Sequence, residues 1–599
     1  MTPDRPFCLA WFQRQEPGGS RAVDPITANW LQRLAQGRHS CSVADGAAGI
    51  VSSEPLFDDG EFAAAAAGDL RSPGLLSAFA RGDEREIARS PDAVAMLRLH
   101  RGGQSLGLLR DPLGQRPLFY QDNGRLLVAC TDLDLLLRRP GWVRRLDRSA
   151  AGHYLAFGTP GLGRTLEAGT RSLPAAHILE LEACSGPFVR RYWSPLSVPG
   201  WKVLDGDRER ALREELDAAI GDAAAGADAA LLLSGGIDSG YMAHSLRARG
   251  MADRVDAYTV RFTTPGAKNE CDTAAETATS AGVRHHVVDM DSDDAAARLP
   301  TVLDSAQPRS AWSALTHAHL LDAIQADGRR VLLSGLGADE VFGGYSHYMK
   351  AYRRFRDLLQ AYGEDGYERC LDDVLAQPEV AARTLFTGVP RFLGDDILRQ
   401  ATGPDLAGWS HVGETVRFYR EGREIRPRAH LFELMVAHEC QNRVPDLLLA
   451  GFCPDAEQRG VSARYPFLAP RLAGLACRLG ATERFGLVEG VWKNKLALRR
   501  IAGTLLPPDV FGRPPMTFGA PFLAWLGNRR FSSGIQSIVE DDSGFPEDLI
   551  DRRWLSLLFQ EVMRQNPTVS PCPEADQLWI VITLLGWYRK WIAQPEMEA

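Results

Sequence analysis

Lysine is nearly missing from this chain. It occurs only at positions 202, 268, 350, 493, 495 and 590, although Lys and Arg together number 68 in 599 residues. Biased codon usage accounts for the skew, but it makes each remaining lysine worth inspecting. The ten cysteines contain no C-x-x-C pair, so neither a disulfide framework nor a zinc site is indicated. No apolar run approaches a membrane span; the longest, Ile580–Leu585, is far too short. The first nineteen residues lack the apolar stretch and leading positive charge of a secretory signal. A formal charge of −8 gives no long-range attraction for nucleic acid or an anionic membrane. No repeat period is visible. These absences set aside a membrane protein, a secreted scaffold and a histone-like binder, and lead us to expect a soluble, cytoplasmic protein. With 45% hydrophobic and 24% charged residues the chain can bury a core, and its length suggests more than one domain.

Up to about residue 200 short strands and turns dominate. Ala95–His100 and Ser105–Arg110 read as extended segments around the Gly102-Gly103 turn, and Arg125–Thr131 as a strand after Asn123-Gly124. The Ala-rich run Phe62–Ala67 is read as filler rather than helix. Cys8, inside the apolar Phe7–Trp11, is expected to be a buried structural thiol. This part reads as a strand-rich α+β domain, a layered sheet sandwich.

From about residue 205 the pattern changes to strand–helix alternation: helix over 207–220, strand over 229–233, helix over 241–249, strands over 255–262, 283–290 and 330–333 with helices between. Such alternation predicts a parallel sheet covered by helices on both faces, with ligands outside the strand C-termini at a switch in strand order. Ser234-Gly235-Gly236-Ile237-Asp238-Ser239 falls at such a place. Two glycines bring backbone N–H groups close to a ligand, the following helix adds positive dipole, and Ser234 and Ser239 add hydroxyls, together a phosphate cradle. Asp238 would repel phosphate unless a hard cation lay between them, so Mg²⁺ is implied. A second glycine-rich element, Leu332–Tyr345, again follows a strand and opens a helix; Asp339 in it is a natural second carboxylate for magnesium.

These motifs carry a family resemblance. Ser234–Ser239 resembles the pyrophosphate loop of ATP pyrophosphatases, which release AMP. Ser334-Gly-Leu-Gly-Ala-Asp-Glu-Val-Phe-Gly-Gly-Tyr345 resembles the S-G-x-G-x-D-E-x-F-G-G-Y signature of asparagine synthetase-like amide-forming enzymes. Asn269–Ala278 with His285-His286, Val461–Pro470, Lys495–Arg499 (K-x-x-L-R) and Gly586-Trp587 extend the likeness to the C-terminus. Arg110–Tyr120, Val128–Thr131 and Arg191-Tyr192-Trp193 resemble the glutamine-hydrolysing N-terminal domain of the same family. The resemblance implies two domains: residues 1–200, an αββα sandwich of the N-terminal-nucleophile type, and residues 205–599, an adenine-nucleotide-hydrolase-like domain with a variable stretch at 360–430. It implies that Leu232, Ser334 and Gly335 line the adenine and ribose of ATP, that Ser234, Gly235, Gly236, Asp238 and Ser239 hold its pyrophosphate, and that Asp238 and Asp339 hold Mg²⁺. Lys495 would balance charge on the α-phosphate and the reacting carbonyl, with Lys493 a weaker rival.

Glutamine hydrolysis in such domains needs a cysteine directly after the initiator Met, whose freed amine acts as base. Thr2 and Pro3 stand there instead, and no glutamine-gripping segment is recognisable, so the domain is expected to be degenerate. Leu336 occupies the loop position where asparagine synthetases carry Glu and β-lactam synthetases Tyr, and it can move no proton. A peptide α-amine, titrating near ~7.7–8.0, needs little help as nucleophile. The branch this resembles is the lasso peptide macrolactam synthetases, which join an Asp or Glu side chain to the peptide's own N-terminus; a leader peptidase and a precursor-recognition protein would be the expected partners. A β-lactam-type or other small-molecule amide synthetase, an ammonia-using asparagine synthetase and a non-catalytic scaffold remain alternatives. Glu433 and Glu439 fall where ring-closing relatives carry a catalytic Glu; both are read as exposed helix carboxylates, with Glu439 kept as the candidate base and His438 as packed or solvated.

Overall fold

The computed structural model describes residues 7–593 except 15–22, 36–40, 45–46, 55, 73, 199–207, 364, 378–379, 381–391, 403–411, 514–519, 542–545 and 566–571. Thr2 and Pro3, parts of the 360–430 stretch and the join between the two halves lie outside the described residues.

Among the described residues the N-terminal half has twelve strands: β1 Cys8–Gln13, β2 Cys41–Ala44, β3 Ala48–Ser52, β4 Phe57–Asp58, β5 Phe62–Asp69, β6 Ala93–His100, β7 Ser105–Arg110, β8 Phe119–Asp122, β9 Leu126–Cys130, β10 Thr170–Ser172, β11 His177–Glu182 and β12 Phe188–Arg191. They form two antiparallel sheets, ordered β10-β8-β9-β1-β3-β2 and β12-β11-β7-β6-β5-β4. Strand periodicity builds the layers. Cys8, Ala10 and Phe12 of β1 point between the sheets toward Ala65, Ala95 and Leu97, whereas Leu9 and Trp11 face the outer core with Leu31 and Leu34 of a covering helix. Helices Leu75–Arg81 and Glu84–Arg89 cover the opposite outer face against Ala64, Ala66 and Met96. The result is the expected four-layer sandwich. Phe62–Ala67 is not filler: it is β5, and its alanines are small enough to let both the other sheet and a helix approach closely.

Among its described residues the C-terminal half holds five parallel strands: β13 Ala229–Leu232, β14 Val255–Phe262, β15 Arg284–Met290, β16 Val331–Leu333 and β17 Ser462–Arg464, ordered β15-β14-β13-β16-β17. Ala229, Ala230 and Leu231 are all fully buried although successive side chains face opposite ways, so both faces of the sheet are covered. The chain first builds outward from β13 through β14 to β15, then returns to β16 on the other side. The switch point thus lies between β13 and β16. A two-stranded hairpin, β18 Gly486–Val488 and β19 Val491–Lys493, stands apart. No helix among the described residues is long and apolar enough to cross a membrane.

Candidate active site

Both glycine-rich loops leave the sheet at this switch point. The first connects β13 to helix α1, Ile237–Ala248. Gly235 has φ +74°, and a Cβ on it would lie 2.6 Å from the backbone of Thr273 on helix α2, Cys271–Ala281, so only glycine fits. The Ser234 N–H donates to Ser239 Oγ (3.2 Å) and the Gly236 N–H to Ser234 Oγ (3.3 Å), which curls the backbone into a cup. The helix begins at Ile237, earlier than the sequence pattern suggests, so Asp238 and Ser239 sit in its first turn.

The second loop connects β16 to helix α3, Ala338–Phe342. Gly335 packs on Asp238, where a Cβ would lie 3.3 Å from that side chain's own Cβ, and this contact joins the loops. Leu232 is half-buried at the end of β13, and Ser334 is buried with its N–H donated to the Arg464 carbonyl. Leu336 is half-buried in the loop.

Lys495 closes the cleft. It precedes helix α4, Leu496–Ala502, in a left-handed conformation (φ +51°), and its ammonium bonds Asp238 Oδ2 at 2.6 Å and Asp339 Oδ1 at 2.8 Å. Burial alone would lower the Lys495 pKa, but the two carboxylates outweigh it and hold the ammonium above its ordinary value. Burial raises the Asp238 carboxyl, Lys495 opposes that rise, and Asp339 adds to it. Lys493 lies two residues earlier on β19 and takes no part in this triad.

The carboxylate pair fits a divalent cation. Both donors are hard oxygens, and Asp238 Oδ1 is buried without a hydrogen-bond partner. Among the described residues no three His, Cys, Asp or Glu side chains form a metal cage, so further donors would come from the ligand.

Two residues that the sequence reading left without a role define the site's shape. A Cβ on Gly344 would lie 1.6 Å from Asp339 Oδ1 and 2.3 Å from Lys495 Cε, so the second glycine of Phe342-Gly-Gly-Tyr345 is what lets lysine and aspartate meet. Arg443 organises a buried cluster behind the second loop. Its Nη1 lies 3.1 Å from Glu439 Oε2 and 3.7 Å from Glu340 Oε1, and its guanidinium sits over the Tyr345 ring at 4.7 Å, while the Tyr345 hydroxyl donates to Glu340 at 2.6 Å. The D-E and G-G-Y pairs of the motif were visible, but nothing in the sequence joined them to an arginine a hundred residues away.

The expectation that Glu433 and Glu439 are exposed does not hold; they are 3% and 5% exposed. Glu433 pairs with Arg426 and Arg478. For Glu439, burial pushes the carboxyl up, but Arg443 and His347 outweigh it and bring it down to about 2. Burial raises Glu340 to about 7 against the pull of Arg443. His438 is packed, and burial lowers it to about 4. Cys8 is fully buried as expected; burial lifts its thiol to about 12.

A layered sandwich of antiparallel strands and a parallel sheet with paired glycine loops at its switch point define a mixed α/β protein. The family model described as asparagine synthase matches residues 211–589, and that described as glutamine amidotransferase domain matches residues 75–193. The chain belongs to the asparagine synthase family. It is 26% identical over 443 residues to a putative glutamine-hydrolysing asparagine synthetase of Mycobacterium bovis, covering 70% of this chain and 65% of that protein's length. It is 22% identical over 547 residues to asparagine synthetase (glutamine-hydrolysing) 1 of Bacillus subtilis, covering 86% and 80%, and 27% identical over 267 residues to amidase chyE of Penicillium rubens, covering 41% and 38%. Among solved structures, a glutamine phosphoribosylpyrophosphate amidotransferase from Bacillus subtilis matches at 12% identity with a TM-score of 0.18, over 47% of this chain and 65% of that one, too slight a likeness to inform the fold.

Proposed function

We propose that this chain forms an amide bond through an acyl-adenylate. One observation carries the reading: two glycine loops at the sheet's switch point bring Asp238 and Asp339 onto one buried lysine, Lys495. A carboxylate is a poor acyl donor, so its oxygen attacks the α-phosphorus of ATP and pyrophosphate leaves with the bonding pair. An amine then attacks the carbonyl carbon, AMP leaves, and the nitrogen gives up a proton. In this assignment Ser234, Gly235, Gly236 and Ser239 hold the pyrophosphate through N–H and hydroxyl donors, and Leu232, Ser334 and Gly335 face the nucleoside. Asp238 and Asp339 would hold Mg²⁺, which supplies positive charge against the phosphate oxygens when bound. Lys495 balances charge building on the α-phosphate and on the carbonyl oxygen. Glu439, the candidate base, pairs with Arg443 at 3.1 Å and holds that guanidinium behind the second loop.

We assign the acid and the amine to one peptide, making the product a macrolactam of the lasso type. Leu336 supports a nucleophile that needs no base, and the buried, high-pKa Cys8 supports an amine that is not ammonia from glutamine. Holding both ends of one peptide at the adenylate would supply much of the rate through proximity. The test is incubation of the full chain with ATP, Mg²⁺ and a linear peptide bearing an internal Asp or Glu. Loss of one water, mapped to a bond between N-terminus and side chain, is expected. Ammonia-dependent asparagine formation would replace this reading with a synthetase one, and absence of ATP–pyrophosphate exchange with any acid would leave a scaffold.

A further inference from the structure

One guanidinium grips the phosphate loop from behind. Arg513 follows the short helical segment Pro508–Gly512. Its Nη1 donates to the Gly235 carbonyl at 2.9 Å, to the Thr273 carbonyl at 3.2 Å and to Thr277 Oγ1 at 2.9 Å. Its Nη2 donates to Glu276 and Asp509, each at 2.8 Å. Two carboxylates balance its charge.

Its effect comes through the peptide plane it holds. In a trans peptide the carbonyl and the N–H point in opposite directions. Arg513 takes the carbonyl of Gly235, so the N–H of Gly236 in the same plane turns toward the inside of the cup, where Ser234 Oγ lies 3.3 Å away. A Gly–Gly junction has little intrinsic preference between this orientation and the flipped one. Flipped, the plane would present a carbonyl oxygen to a phosphate and turn attraction into repulsion. The fork of five donors makes arginine suited to fixing loop and helix α2 together, since it reaches Gly235 and α2 at once.

We propose that Arg513 is a positioning residue that locks the Gly235–Gly236 peptide with its N–H facing the nucleotide's pyrophosphate. The proposal rests on the reading of Ser234–Ser239 as a pyrophosphate loop. Its test compares the full wild-type chain with R513Q and R513K for binding of a non-hydrolysable ATP analogue, inorganic pyrophosphate and AMP, with Mg²⁺ present, alongside thermal melting. R513Q weakens the ATP analogue and pyrophosphate by tenfold or more, weakens AMP by less than threefold, and melts within a few degrees of wild type. R513K, which can reach Gly235 but cannot bridge all the acceptors, falls between. Wild-type pyrophosphate affinity in R513Q overturns the clamp alone, as does an equal loss for AMP and pyrophosphate. If R513Q does not fold, R513K decides, and unchanged pyrophosphate binding in it overturns the clamp. A wild-type chain that binds neither pyrophosphate nor the ATP analogue overturns the loop reading and the clamp with it.

Discussion

At the scale of single residues the site is a meeting of three charges made possible by one missing side chain. Asp238, Asp339 and Lys495 come from three distant segments and converge within 2.8 Å contacts. Asp238→Ala is expected to abolish ATP–pyrophosphate exchange, and full exchange in that variant would refute its role toward magnesium. Lys495→Gln should lower exchange by about 10²–10³, the usual cost of one preorganised electrostatic group, and steady-state exchange rates would show it. Gly344→Ala is expected to do comparable damage without touching a charged group. Its methyl cannot share space with Asp339 Oδ1, so the lysine–aspartate contact must open. An alanine variant with wild-type exchange would show that this contact is dispensable. The charged residues were legible because each stands in a motif whose chemistry needs it. Gly344 was legible only as a letter of a motif, and Arg513 not at all, because a close approach and a peptide-plane clamp exist only after folding.

At the scale of elements, periodicity found the helices and four parallel strands between about 207 and 333, and was silent over most of the helices that follow. Helix Leu431–His438 runs directly into Glu439–Leu449, which winds in wide π-type turns with Pro445 inside. Glu439 lies inward on Arg443 and His347; a carboxylate in an apolar helix reads as exposed because the partners that let it be buried come together only in the fold. The short strand β17 was missed for a different reason: three residues, Ser462–Arg464, are too few to show a period. The Glu439 pair gives this element a pH signature. Its carboxyl is held below the ordinary value, so the stability it contributes is fully present above pH ~4.5 and is lost as pH falls toward 2. Glu439→Gln leaves Arg443 buried with only the more distant Glu340, and should cost about 3 kcal/mol at neutral pH, the lower end for a broken buried pair. In urea unfolding the gap between variant and wild type should stay level from pH 7 to 5 and narrow by pH 3; a gap that stays level to pH 3 would contradict the low pKa.

At the scale of the whole molecule, the amidotransferase-like half is docked on elements that neighbour the site. Its Arg110 reaches Asp446 at 3.4 Å and its Arg116 pairs with Glu457, both on or just beyond the wide helical segment, while Gln441 of that segment donates to the Trp193 carbonyl. Asp69 accepts from Nε and Nη2 of Arg464, at 2.6 and 2.9 Å, at the end of β17, the strand whose Arg464 carbonyl also receives the Ser334 N–H of the second loop. Tyr154 and Thr583 join the halves again at 2.8 Å between hydroxyls. The motif Arg110–Arg116, read in the sequence only as a mark of glutaminase-type domains, therefore also reaches the other half of the molecule. Buried apolar side chains of both halves, Leu9 and Tyr154 with Leu231 and Ile580 among them, belong to one continuous core, which ties the stability of each half to the other. Calorimetry of the full chain should accordingly show one cooperative transition. Asp69→Asn, which keeps shape but gives up the charged bidentate contact, should lower stability by about 1.5–3 kcal/mol and move that single peak as a whole. Two separated peaks, with only the first displaced by Asp69→Asn, would mean that the halves fold independently and that the N-terminal half does not brace the site.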